Sequence, residues 1–101
     1  MIVNRRTFNV KPGCGEKAVE SLAAESAAEK KRSGFTGAVR IYSSSIGQLN
    51  QVAFEAEFRN LAEYETFWAG WAARPTTTEW LKKWIELEES GTTNEIWDLA
   101  E

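Results

Sequence analysis

Arg6 is the residue whose type and setting point most directly to chemistry. In the run Ile2 to Val10 it alternates in phase with Phe8 and Val10, so it projects from the face expected to lie under helices. A buried arginine is costly unless something pairs with it. Two outcomes would satisfy it. The planar guanidinium grips an anionic or carbonyl-bearing ligand, or the chain itself supplies an ion pair or backbone acceptors. Trp68, Trp71, Trp80 and Trp84 form a second cluster, four of the five tryptophans, on two consecutive helical segments. Either they roof an apolar pocket for a flat ligand, or they fill the core over a first helix built of small residues. Phe8 and Phe54 complete the expected apolar lining.

The carboxylates offer less. Glu55 and Glu57 share one strand face, and paired carboxylates can do acid–base work. The alternative is that they neutralise Arg5 and Arg40 on neighbouring strands. Tyr42 is a proton donor with no partner evident. Cys14 follows Pro12-Gly13 near a helix start, but the chain has no second cysteine and no histidine, so a nucleophilic role is not expected. Lack of histidine also removes the commonest metal ligand and the commonest general base at neutral pH. No metal-ligand spacing, phosphate loop or nucleophile elbow is present, and no cofactor or metal is expected.

These residues must be positioned by a small scaffold. A chain of 101 residues accommodates one domain with one core, here taken as residues 1–101. Its content, 43% hydrophobic and 27% charged, is that of an ordinary globular protein. A net charge of -3 and a pI near 5.1 argue against a nucleic-acid surface. The run Lys30-Lys31-Arg32 suits the last turn of a helix, where cations meet the negative end of the dipole. A single cysteine cannot form an intrachain disulfide and fits a reducing, cytoplasmic setting. No apolar run approaches the ~20 residues of a membrane span. The first residues read as a strand and not as a targeting segment.

Periodicity sets the elements. Ile2 to Val10 is a strand ended by Pro12-Gly13, and Glu16 to Arg32 is a helix stopped by Ser33-Gly34. Its inner stripe is expected to be Val19, Leu22, Ala23, Ser26 and Ala27. Phe35 to Ser43 and Leu49 to Phe58 alternate as strands. Val39 and Ile41 share one face, as do Val52, Phe54, Ala56 and Phe58. Asn60 with Glu63 marks a helix start, and Leu61, Tyr64, Trp68 and Trp71 then recur at helical spacing. Arg74-Pro75 interrupts that helix. Thr76 or Thr77 is expected to cap the next, with Trp80, Leu81, Trp84 and Ile85 inside and Gly91 at its end. Thr93 to Leu99 is a last strand. Asn50 and Gln51 are expected to fix the turn before the third strand by bonding to backbone groups. The order β-α-β-β-α(α)-β is the ferredoxin-like α+β arrangement, a four-stranded antiparallel sheet with helices on one face. Its other face would carry Arg5, Arg40, Tyr42, Gln51, Glu55 and Glu57, either solvated or packed against a second sheet.

Three segments together carry a family resemblance: Arg6-Thr7-Phe8-Asn9-Val10-Lys11-Pro12-Gly13, Ile46-Gly47-Gln48-Leu49-Asn50-Gln51-Val52, and Glu57-Phe58 followed by Asn60-Leu61-Ala62-Glu63. They resemble the first-strand, hairpin and third-strand signatures of the NIPSNAP family. Glu79-Trp80 is similar to its acidic-Trp pair. The resemblance implies a dimeric α/β barrel, two ferredoxin-like sheets closing face to face, with Arg5, Arg40, Tyr42, Gln51, Glu55 and Glu57 at the homodimer interface. It implies a role that is biochemically undefined. The expected role is binding of a small apolar or aromatic ligand at Arg6, Phe8, Phe54, Trp68, Trp71, Trp80 and Trp84, or of a protein partner. The alternative is a cofactor-independent, monooxygenase-like enzyme acting on an aromatic substrate between sheet and helices. There Arg6 would polarise a substrate oxygen, and Tyr42 or a glutamate would handle protons if it reached the cleft. The family often carries His and Trp in the third strand where this chain has Phe54 and Ala56, which weakens any activity resting on that histidine.

Overall fold

A computed structural model describes residues 1–100. Strand β1 (Ile2–Val10) leads to helix α1 (Gly15–Ser33), strands β2 (Val39–Ser43) and β3 (Gln51–Phe58), helices α2 (Leu61–Ala72) and α3 (Pro75–Trp84), and strand β4 (Glu88–Asp98). The sheet order is β2-β3-β1-β4 and every pairing is antiparallel. This is the ferredoxin-like α+β fold, with β1 and β3 at the centre. No helix among the described residues is long and apolar enough to cross a membrane.

Local chemistry explains most boundaries. Gly34 adopts φ 73° and its N–H bonds Lys30 O, closing α1 behind its basic last turn. Oδ1 of Asn60 accepts from Glu63 N at 2.9 Å, while the Glu63 carboxylate reaches back to Arg59 N at 2.8 Å. The expected reciprocal cap is therefore formed one residue out of register. At the α2–α3 break Arg74 is extended and Pro75 takes the first helical position, where a missing N–H costs nothing. Neither Thr76 nor Thr77 is the cap. Thr77 is buried and donates its hydroxyl proton to Trp71 O, tying the two helices together.

Three boundaries differ from the periodicity. Strand β2 begins at Val39 and not Phe35, because Phe35 turns inward against Phe58 and Phe67. Strand β3 begins at Gln51 and not Leu49. The preceding Asn50 has φ 59° and Ile46 is 97% exposed, so the hairpin is a projecting loop. Asn50 acts through its backbone, its carbonyl accepting from Val10 N at 2.9 Å, whereas Gln51 bonds the Asn9 side chain at 3.0 Å. Strand β4 starts at Glu88, so Gly91 does not end a helix. It lies inside the strand with φ 106°, beside the register shift between Thr7 and Asn9.

The buried face divides into two clusters. Val10, Ala18, Leu22, Val52 and Trp84 form one, and Phe54, Ala56, Phe58 and Phe67 form the other. Helix α1 turns Ala18, Leu22 and Glu29 inward, with Glu25 and Ser26 partly buried, while Ala23 and Ala27 face out. Leu61, Leu81 and Ile85 are likewise largely exposed, leaving Phe67, Trp80 and Trp84 to do the packing. The inward stripe of α1 thus turns polar halfway along, and beyond Leu22 it presents Glu25, Ser26 and Glu29 to the seam between the clusters.

Candidate functional site

That seam is a cavity of about 210 Å³, partly open to solvent. A void of about 150 Å³ already accommodates a benzene ring. Arg6, Phe8, Phe54, Trp68, Trp71, Trp80 and Trp84 all line it, joined by Leu22, Glu25, Ser26, Glu29, Phe67, Leu81 and Glu88. Strands β1 and β3 supply the floor, α1 one wall, and α2 and α3 the tryptophan side.

The tryptophans divide the work between core and roof. Trp84 is buried, edge-on to Phe8 with ring centroids 5.0 Å apart. Trp80 stacks on it at 5.1 Å and 13°. Trp71 and Trp68 continue the row edge-to-face at 5.8 and 5.6 Å. Two indole N–H groups are fixed: Trp71 donates to Glu25 Oε2 at 2.8 Å and Trp68 to Asn4 Oδ1 at 3.0 Å. The Trp80 N–H is buried without a partner.

Arg6 departs from the structural expectation. It takes part in none of the ion pairs found among the described residues, and its Nε is buried without an acceptor. Its guanidinium instead lies over the Trp68 ring, with Cζ 3.7 Å from the centroid. Stacking leaves the in-plane N–H groups free to aim at a ligand.

Asn4, bonded to Trp68, and the α1 glutamates in the cavity wall were not singled out by periodicity. Asn4 is fully buried and donates to Asn94 Oδ1 at 2.7 Å and Glu95 O at 2.9 Å, so β4 orients the group that orients Trp68. Glu29 is 1% exposed. Its Oε1 accepts from Arg74 Nε at 2.8 Å and lies 3.5 Å from Arg32, but its Oε2 has no partner. The signal was available: Glu25 and Glu29 recur one helical turn apart, in phase with Leu22.

Arg5, Arg40, Tyr42, Glu55 and Glu57 lie together on the opposite face of the sheet. Glu55 is the hub, bonded by Arg5 at 2.6 Å, Arg40 at 2.9 Å and the Tyr42 hydroxyl at 3.2 Å, while Arg40 also reaches Glu57 at 2.7 Å. Burial pushes the Glu55 carboxyl up, but these hydrogen bonds outweigh it and hold it below the usual carboxylate range. Bonds to Glu57 and Glu55 hold Arg40 above the usual arginine range. Arginine and glutamate therefore pair within one sheet. Tyr42, Glu55 and Glu57 do not reach the cavity, since the sheet lies between them and it, so the condition set on their handling protons there is not met. Phe54 stands where the resemblance expected histidine, with its ring edge-on to Trp68 at 5.6 Å.

The NIPSNAP family model matches residues 3–95. An uncharacterized NIPSNAP domain protein from Burkholderia xenovorans superposes with a TM-score of 0.81 at 16% identity, over 99% of this chain and 95% of that one. Protein Atu4242 from Agrobacterium tumefaciens superposes with 0.83 at 23% identity, over 99% and 94%. A putative antibiotic biosynthesis monooxygenase from Nitrosomonas europaea shares the fold at 0.73 and 10% identity, over the full length of both chains. No curated protein matches the chain.

Proposed function

The chain belongs to the NIPSNAP family, and from that premise we propose that it is a small cytoplasmic homodimeric binding protein whose ligand is a ring compound held in the seam cavity. The observation that carries this reading is the pairing of an aromatic-lined void with a buried, unpaired Arg6 Nε at its edge. Natural folds rarely leave such a donor unsatisfied. Arg6, Phe8, Phe54, Trp68, Trp71, Trp80 and Trp84 are the proposed contacts. The reading favours binding over oxygenation because Tyr42, Glu55 and Glu57 face away from the cavity, Glu25 and Glu29 within it are paired with Arg32 and Arg74, and a shared fold carries no activity by itself.

The homodimer is proposed through the outer sheet face. Trp97 is 58% exposed and registers with Val3 on that face, next to the Arg5–Glu55–Arg40–Glu57 network, while Tyr42 is 43% exposed. An exposed aromatic pair around an internally neutralised charge network suits a two-fold, self-complementary contact. Residues 1–101 are proposed as one domain.

Thermal shift with acetophenone, an uncharged ring bearing a carbonyl, tests the ligand reading. The melting temperature rises for the native protein and not for Arg6→Met. An equal rise in both would remove Arg6 from the site, and no rise in either would remove the site. Light scattering at micromolar concentration tests the dimer, and a monomer would contradict it.

A further inference from the structure

Three buried side-chain polar atoms among the described residues lack partners, and the side chains that carry them all line this same cavity. They are of two kinds. Nε of Arg6 and Nε1 of Trp80 are donors, while Oε2 of Glu29 is an acceptor. The donors come from β1 and α3, and the acceptor from α1 on the facing wall. Much of the remaining lining is apolar, including Phe8, Phe54, Phe67 and Trp84.

Charge narrows the occupant further. Glu25 and Glu29 are answered at the rim by Arg32 and Arg74, at 3.5 and 2.8 Å. That leaves Arg6 and Glu88 as the remaining charged lining residues, one of each sign. The cavity is close to neutral, so a free anion gains little from its field and would meet Glu25, Glu29 and Glu88 on entering.

We propose that the ligand is an uncharged ring compound with a carbonyl-type acceptor at one end, taken by Arg6 and Trp80, and an N–H or O–H donor at the other, taken by Glu29. This rests on the ligand-binding reading above and specifies its chemistry. A site with polar atoms already desolvated rejects analogues that leave them unpaired far more strongly than an apolar slot rejects a missing methylene.

Calorimetric titration of the native protein with the three aminoacetophenone isomers, acetophenone, aniline, benzoate and toluene tests it. At least one aminoacetophenone binds about tenfold or more tighter than acetophenone and aniline, and benzoate gains nothing over acetophenone. Glu29→Gln keeps an amide oxygen for Arg74 but turns the free acceptor into a donor. It loses the preference for the amine and gains one for the matching diacetylbenzene. Acetophenone binding as tightly as every aminoacetophenone overturns the two-ended ligand and leaves the binding reading standing. Tightest binding of benzoate overturns the uncharged ligand. Failure of all of them to bind overturns both. If Glu29→Gln does not fold, the native series decides alone.

Discussion

The guanidinium of Arg6 lies over Trp68, its Cζ 3.7 Å from the ring centre, and Trp68 is fixed in turn by its N–H bond to the fully buried Asn4. A side chain that normally needs a carboxylate is held here by a ring, which orients it without consuming its hydrogen-bonding edge.

Arg6→Met should therefore leave the fold nearly as stable as before. It removes a stacking contact of about 0.5–2 kcal/mol but also an unsatisfied buried donor, and it breaks no ion pair. Trp68→Phe keeps the ring but strands the Asn4 oxygen, at a cost of about 1–3 kcal/mol. Urea denaturation of the two variants checks the order. Severe destabilisation by Arg6→Met with a mild Trp68→Phe would reverse the assignment of Arg6 as a binding group.

The Glu55 hub predicts an acid-sensitive step. Its folded-state pKa lies below the ordinary 4.5, so its contribution is complete above that value and is lost as pH falls through the lower folded value. Denaturation at fixed protein concentration should show stability declining below about pH 4.5, with a shallower decline in Glu55→Gln. Arg40 stays charged throughout and adds no slope. Identical acid profiles for the two proteins would show that Glu55 is not the linked group.

Gly37 admits no side chain. A Cβ there would sit 2.3 Å from the Glu57 carbonyl oxygen and 2.2 Å from the Phe35 ring. The carbonyl belongs to a paired strand and cannot retreat cheaply, so Gly37→Ala should cost about 1–3 kcal/mol by overpacking. Thermal melts beside Gly34→Ala check it. Gly34 has open space around its Cβ, and only its φ of 73° resists substitution. A Gly37→Ala protein as stable as the native one would mean that the loop before β2 is freer than its contacts imply.

Alternation made the floor of the cavity legible. Arg6, Phe8 and Phe54 had to share the helix side once β1 and β3 were placed, because the strand period is two. Spacing also put the tryptophans on one side of α2 and α3. The wall was harder to see. Alanines suggested an apolar inner face for α1, but Arg74, distant in sequence, compensates Glu29, with Arg32 one turn along the same helix, and allows a glutamate to take the inward position. Strand β4 was half hidden because Glu88 to Gly91 carries no alternating apolar pattern. Its pairing there comes from backbone bonds to β1 around a bulge, aided by Asn9 Nδ2 donating to Ser90 O. The separation of Tyr42 and Glu55 from the cavity needed only the same period of two, applied to the outer face.

A ¹H–¹⁵N spectrum of the five indole N–H groups during titration with acetophenone tests the cavity most directly. The Trp80 resonance should move most, because its N–H gains its first acceptor, with Trp68 and Trp71 following and exposed Trp97 staying in place. The same titration of Arg6→Met should leave all five nearly still. Movement of Trp97 alone, or an unchanged response without Arg6, would contradict a ring-binding site between the sheet and the tryptophan helices.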